Sequence, residues 1–193
     1  PLTQTPVTVS GFCTPLAPAP LSGRLLLSAT EGDASIPGDQ MQFGQDANTL
    51  VAISGPNNPI NNFFASQINN DAGTLDTTGS FGTRNQNAAT LTNVSGGRQG
   101  WDITNVDISA QLKNNQTSAV ARGTSTQDQY VINGLGTQIG VGAPQFPTDV
   151  KRVVPPVQTF VGDFLTYTIR VDNTAGTADA NNLIFKDAPP AGT

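Results

Sequence analysis

The chain reads as all-β: a jelly-roll-like β-sandwich followed by part of an immunoglobulin-like sandwich. Three observations point there. No stretch of a dozen residues keeps a 3.6-residue apolar period free of Gly, Pro or β-branched interruptions, so helix signals are weak. Short apolar runs with two-residue alternation recur instead. Between them lie turn-rich segments: Ser54-Gly55-Pro56-Asn57-Asn58-Pro59, Asn69-Asn70-Asp71-Ala72-Gly73, Ser95-Gly96-Gly97 and Asn133-Gly134. Gly, Asn and Asp accept the left-handed angles that tight turns demand.

In chain order, residues 6–10 read as a short strand. Residues 21–30 hold another, around Arg24-Leu25-Leu26-Leu27-Ser28-Ala29. Residues 49–54 end at Gly55-Pro56. Residues 61–68 are expected to form one or two helical turns that plug an end of the sandwich. Residues 88–94 alternate partly. Residues 101–112 alternate best, through Trp101, Ile103, Val106, Ile108, Ala110 and Leu112, with a slip near Asn105 that reads as a bulge. Residues 119–123, 129–133 and 139–141 follow. Trp101, Ile103, Ile108, Leu112, Val131 and Ile139 are expected to lie mostly buried.

Residues 143–147 carry two prolines among small residues and read as a linker. They separate a sandwich domain over residues 12–142 from a second domain over residues 148–193. In the second, residues 150–154 and 180–185 read as strands around the clearest one, residues 164–171. There Leu165, Tyr167, Ile169 and Val171 share one face, and Thr166, Thr168 and Arg170 the other. Three strands rarely close a sandwich, so this domain is incomplete within the chain.

Composition narrows the function. The chain has 193 residues, no histidine, one cysteine, a charged fraction of 12% and a net charge of −5. Typical domains carry about 25% charged residues. Here amides and hydroxyls hydrate the surface instead. No basic stripe suits nucleic acid, and no apolar run approaches the ~20 residues of a membrane span. Without histidine there is no His-based triad and no His-ligated metal. Lys113, Lys151 and Lys186 stand in separate segments with no catalytic motif around them, so no enzyme and no cofactor is expected.

Other residues carry two readings each. Asp71 and Asp76, with Asp102, Asp107 and Asp128 elsewhere, offer hard oxygens for calcium, but the spacing lacks the closing glutamate of a helical calcium hand. Turn caps are the plainer role. Arg84 and Arg98 read as loop braces before ligand contacts. Trp101 reads as a core anchor before a sugar platform. Cys13 is either a small buried hydrophobe or an intermolecular disulfide partner.

Several features of the second domain come in a familiar order. They are Lys151 in the first strand, Val161-Gly162-Asp163 before the Tyr167 strand, Val171-Asp172-Asn173-Thr174, and Phe185-Lys186-Asp187-Ala188-Pro189-Pro190-Ala191-Gly192-Thr193. This stretch resembles the start of the repeat known as domain of unknown function 11, found in tandem in bacterial and archaeal surface proteins. Pro189 stands where that family usually has leucine. Residues 61–141 are similar to the β-domain that often precedes such repeats. The motifs are Asn62-Phe63-Phe64, Ile68-Asn69-Asn70-Asp71, Gly79-Ser80-Phe81-Gly82-Thr83-Arg84-Asn85, Gly96-Gly97-Arg98-Gln99-Gly100-Trp101-Asp102 and Tyr130-Val131-Ile132-Asn133. The resemblance implies an exported, non-catalytic component of a cell or spore surface.

The same repeat suggests how copies join. Pro6-Val7-Thr8-Val9-Ser10-Gly11 resembles the strand that normally follows the repeat's Pro-Ala-Gly-Thr. Residues 1–11, through Val7 and Val9, are therefore expected to be donated to a half-sandwich whose apolar face is Leu165, Tyr167, Ile169 and Val171. Donation from copy to copy gives a head-to-tail homopolymer. The alternative is an adhesion module that binds a carbohydrate or protein.

Overall fold

The computed structural model describes residues 2–3, 5–76, 78, 100–147, 151–154 and 160–188. The chain divides into two compact units, Pro1–Val141 and Gly142–Thr193.

The first unit is a β-sandwich. Its strands are β1 (Leu2–Thr3), β2 (Val7–Ser10), β3 (Gly23–Thr30), β4 (Asp39–Gly44), β5 (Val51–Ala52), β6 (Trp101–Asp107), β7 (Ser118–Ser125) and β8 (Val131–Ile139). A five-stranded antiparallel sheet runs β1-β7-β4-β5, with β2 also paired to β7. A three-stranded antiparallel sheet runs β6-β3-β8. Alternation drives the packing. Leu25, Leu27 and Ala29 of β3 and Val106 of β6 point inward from one sheet, and Met41 and Phe43 of β4 with Ala119 and Ala121 of β7 from the other. Ile53, Phe63, Phe64, Ile108, Leu112 and Tyr130 complete this core. Among the described residues, the only helical element is a three-residue 3-10 turn, Ser109–Gln111.

The structure corrects several expectations. Residues 61–68 form no helix. Their backbone N–H groups bond to carboxylates on β4 and β6 instead of to carbonyls four residues back. β6 contains no slip: it pairs with β3 in unbroken register from Arg24↔Asp107 to Thr30↔Trp101. The strand therefore stays in phase, turning Asp102, Thr104 and Val106 inward and Trp101 and Ile103 to solvent. The bulge is in β8, where Ser28 faces Gly134, Ala29 faces Ile132 and Asn133 is the extra residue. Of the strands expected at 129–133 and 139–141, residues 131–133 and Ile139 belong to one strand, β8, and β4 is a strand beyond those expected. The expected strand at 88–94 lies outside the described residues.

The N-terminal strand pairs within the chain. β2 is an edge strand of its own sandwich, with Val7↔Ala121 and Val9↔Ala119 in register on β7. β1 continues along the same strand, with Leu2↔Ser125. Each ladder satisfies backbone groups that β7 would otherwise leave open on that side. Segment 12–20 is fastened below by side-chain bonds: Thr14 Oγ1 donates to the Lys113 carbonyl (2.6 Å), and Asn114 Nδ2 donates to the Pro15 carbonyl (2.9 Å).

The second unit is slight. β9 (Lys151–Val153) and β10 (Tyr167–Ile169) form a two-stranded antiparallel ribbon with Tyr167↔Val153 and Ile169↔Lys151 in register. The expected strand at 180–185 is irregular chain. Ala143 and Gln145 are hydrogen-bonded to Thr177 and Asn173.

Candidate functional site

Segment 57–69 occupies one end of the sandwich and is held by a polar cluster. Asp39 Oδ2 accepts the Phe64 N–H at 2.6 Å. Asp102 Oδ1 accepts the N–H groups of Ala65 (2.9 Å) and Gln67 (3.1 Å). Ser66 Oγ donates to the Gly32 carbonyl and accepts the Gly100 N–H. An amide ladder lies beside it. Asn57 Nδ2 donates to Gln67 Oε1 (2.7 Å) and Asn69 Oδ1 (2.8 Å), while Asn69 Nδ2 and Thr104 Oγ1 both donate to Asn58 Oδ1. Asp102 and Thr104, on the buried face of β6, are thus the partners of an irregular buried segment.

These carboxylates are electrostatically unusual. Burial pushes Asp102 up to about 8, although the N–H groups of residues 65–67 pull against it. Burial likewise raises Asp39 to about 6, opposed by the Phe64 N–H. Asp102 Oδ2 and Asp39 Oδ1 are buried without a hydrogen-bond partner. Gly32 packs so closely here that a Cβ would stand 2.6 Å from both Asp102 Oδ2 and the Phe64 carbonyl oxygen. Two acids with raised pKa values invite a catalytic reading, but here they fasten backbone in a filled interior, and their bonds account for the geometry.

The calcium candidates are not brought together. Asn70 Oδ1 caps the turn by accepting the Ala72 and Thr74 N–H groups, and Asp71 is exposed at its tip. Asp76 Oδ1 accepts the Thr78 N–H and hydroxyl, and the hydroxyl holds its carboxyl below the usual range. Among the described residues, no group of three His, Cys, Asp or Glu side chains is placed to hold a metal. Cys13 is half-buried, its Sγ directed at Asn115 Oδ1. Arg84 and Arg98 lie outside the described residues. No helix among those residues is long and apolar enough to cross a membrane.

The expected assembly residues are split between the units. Val7 and Val9 lie on β2, with Val7 largely exposed. Tyr167 and Ile169 are half-buried on β10, while Leu165 and Val171 are exposed at its ends. Further apolar side chains of the second unit are exposed: Phe164 is 99% exposed and Ile184 is 77% exposed, with Phe160, Val161 and Phe185 also open. Lys151 Nζ bonds both Asp187 oxygens at 2.8 Å and stands 4.4 Å above the Tyr167 ring. Neither a family model nor a curated protein nor a solved structure matches the chain.

Proposed function

We propose that the chain is a structural subunit of an extracellular bacterial surface assembly, its second unit completed by a β-strand from a neighbouring copy. The observation that carries this reading is the open apolar surface of that unit. A two-stranded ribbon is marginal in water, and a contiguous apolar surface marks an interaction site. Strand addition satisfies the ribbon's edges and covers Leu165, Tyr167, Ile169 and Val171 in one step. With β2 engaged in its own sandwich, this assigns the second unit the acceptor's part and leaves the donor to another strand. Head-to-tail addition repeats without closing, which makes a filament or layer.

The likeness of residues 148–193 to tandem surface repeats supports the same role, as does a low-charge surface rich in amides and hydroxyls. The reading includes no catalysis, no cofactor and no nucleic acid. Exposed Trp101 favours a second reading for the first unit, an adhesion or carbohydrate-binding module. Immunogold labelling of producing cells tests the extracellular assignment. Label is expected on the cell or spore surface, and label confined to the cytoplasm would overturn it.

A further inference from the structure

We infer that the outer face of the β6-β3-β8 sheet is a binding platform for an uncharged polysaccharide chain. The face is read from the register. Thr30 lies between Trp101 and Val131, Ser28 between Ile103 and Gly134, and Leu26 between Asn105 and Gly136. Trp101 is 47% exposed and Val131 is 59% exposed, with Ile103 and Leu26 also open.

Gly134 and Gly136 are the telling residues. They occupy alternate positions on β8, on the outer face. Neither has a positive φ. A Cβ on Gly134 would approach Ser28 Cβ at 3.4 Å, and one on Gly136 would approach Leu26 Cβ at 3.8 Å, which are ordinary contacts. Gly134 flanks the bulge at Asn133, where glycine is common, but Gly136 sits in the regular ladder, where the fold does not require glycine and glycine weakens the strand. Bare backbone inside a strand marks close approach by something else. Here it leaves the β8 backbone bare in two rows, beside exposed Leu26 on β3 and Trp101 and Ile103 on β6.

Charge and size select the occupant. The two ionic residues of the face, Arg24 and Asp107, sit opposite each other in its last row. Both are engaged: Arg24 bonds Asn105 Oδ1 and the Asp71 carbonyl, and Asp107 accepts the Ser109 N–H. Among the described residues, this face keeps no uncommitted cation to attract an anionic polymer. Two strand spacings of ~4.8 Å and seven residues at ~3.3 Å give a face of roughly 10 by 20 Å. That falls far short of the roughly 800 Å² per partner of a stable protein interface. It suits a few sugar rings, whose C–H faces stack on an indole and whose hydroxyls meet the exposed amides of Asn133 and Gln138.

Trp101 is the only tryptophan, so its fluorescence reports on this face alone. Cellohexaose, chitohexaose and maltohexaose are titrated into the full chain, with oligogalacturonate as the anionic control. At least one neutral sugar is expected to give a saturable change with a Kd of about 1 mM or tighter, and the control to bind more weakly. Gly136→Val is expected to weaken binding about tenfold or more with the unfolding midpoint unchanged or raised. Trp101→Ala, followed by calorimetry, is expected to lose the heat of binding. The inference is overturned if no neutral sugar saturates or if Gly136→Val binds as tightly as the parent. A dimer that depends on Trp101 in sedimentation would also overturn it, giving the face to a protein partner.

Discussion

Phe64→Ala is expected to destabilise the first unit by about 3–5 kcal/mol, the usual cost of emptying a fully buried aromatic site. Phe64 is completely buried. Its ring centroid stands 5.0 Å from that of Phe63 and 4.4 Å from that of Tyr130. Tyr130 is fixed in turn, its hydroxyl donating to the Thr124 carbonyl at 3.0 Å. Phe64 is also the residue whose N–H is bound by Asp39. The substitution therefore empties the core and loosens the end segment together. Urea unfolding followed by Trp101 fluorescence should show a lower midpoint with an unchanged slope.

Stability of the first unit is expected to fall as pH rises from about 4 toward 8, the reverse of a protein held by salt-bridged carboxylates. Asp102 is raised from 3.8 to about 8 and Asp39 from 3.8 to about 6. Between those limits the native state keeps protons that the unfolded chain releases, so each rise in pH favours unfolding. For Asp102 the full effect is on the order of 6 kcal/mol at most, from about 1.4 kcal/mol per pKa unit. Burial raises Asp128 as well and acts in the same direction. Asp76 and Asp107 are lowered by hydroxyl partners, so their small surface contributions are lost as pH falls below about 4. Asp102→Asn keeps an oxygen for the Ala65 and Gln67 N–H groups and removes the titration. It should flatten the profile between about pH 6 and 8 while leaving Asp39's slope below it. A parent profile that is flat or rising from pH 5 to 8 would contradict this assignment.

The class of fold was legible because strand alternation and Gly/Asn turns leave marks in local sequence. Faces and register were less so. Trp101 and Ile103 looked like core residues because large apolar side chains usually are. Asp102 and Thr104 looked like their solvent-facing counterparts. The order is inverted because the buried face of β6 must supply acceptors to segment 57–69, and a partner more than 30 residues away in sequence leaves no local signal. β8 was divided in reading because Gly134 and Gly136 lower strand propensity. β4 had a usable signal, the Met41/Phe43 alternation between Gln40 and Gln42, obscured by its polar flanks. Of the strand expected through Leu165, Tyr167, Ile169 and Val171, only Tyr167–Ile169 pairs, because period two marks alternation but not how far a partner strand extends. Val7 and Val9 were recognised as a strand, but not where it pairs, since motif likeness carries no information about competing partners such as β7.

The central claim, that the second unit's apolar surface joins copies of the chain, is tested most directly by sedimentation velocity. The intact protein is compared over a range of concentrations with a Phe164→Ser, Ile184→Ser variant. Both residues are exposed and lie outside the first unit's core, so the variant should keep that unit folded. The account predicts a ladder of species growing with concentration for the parent and a single monomer boundary for the variant. A parent that stays monomeric throughout, or a variant that assembles equally well, would contradict it.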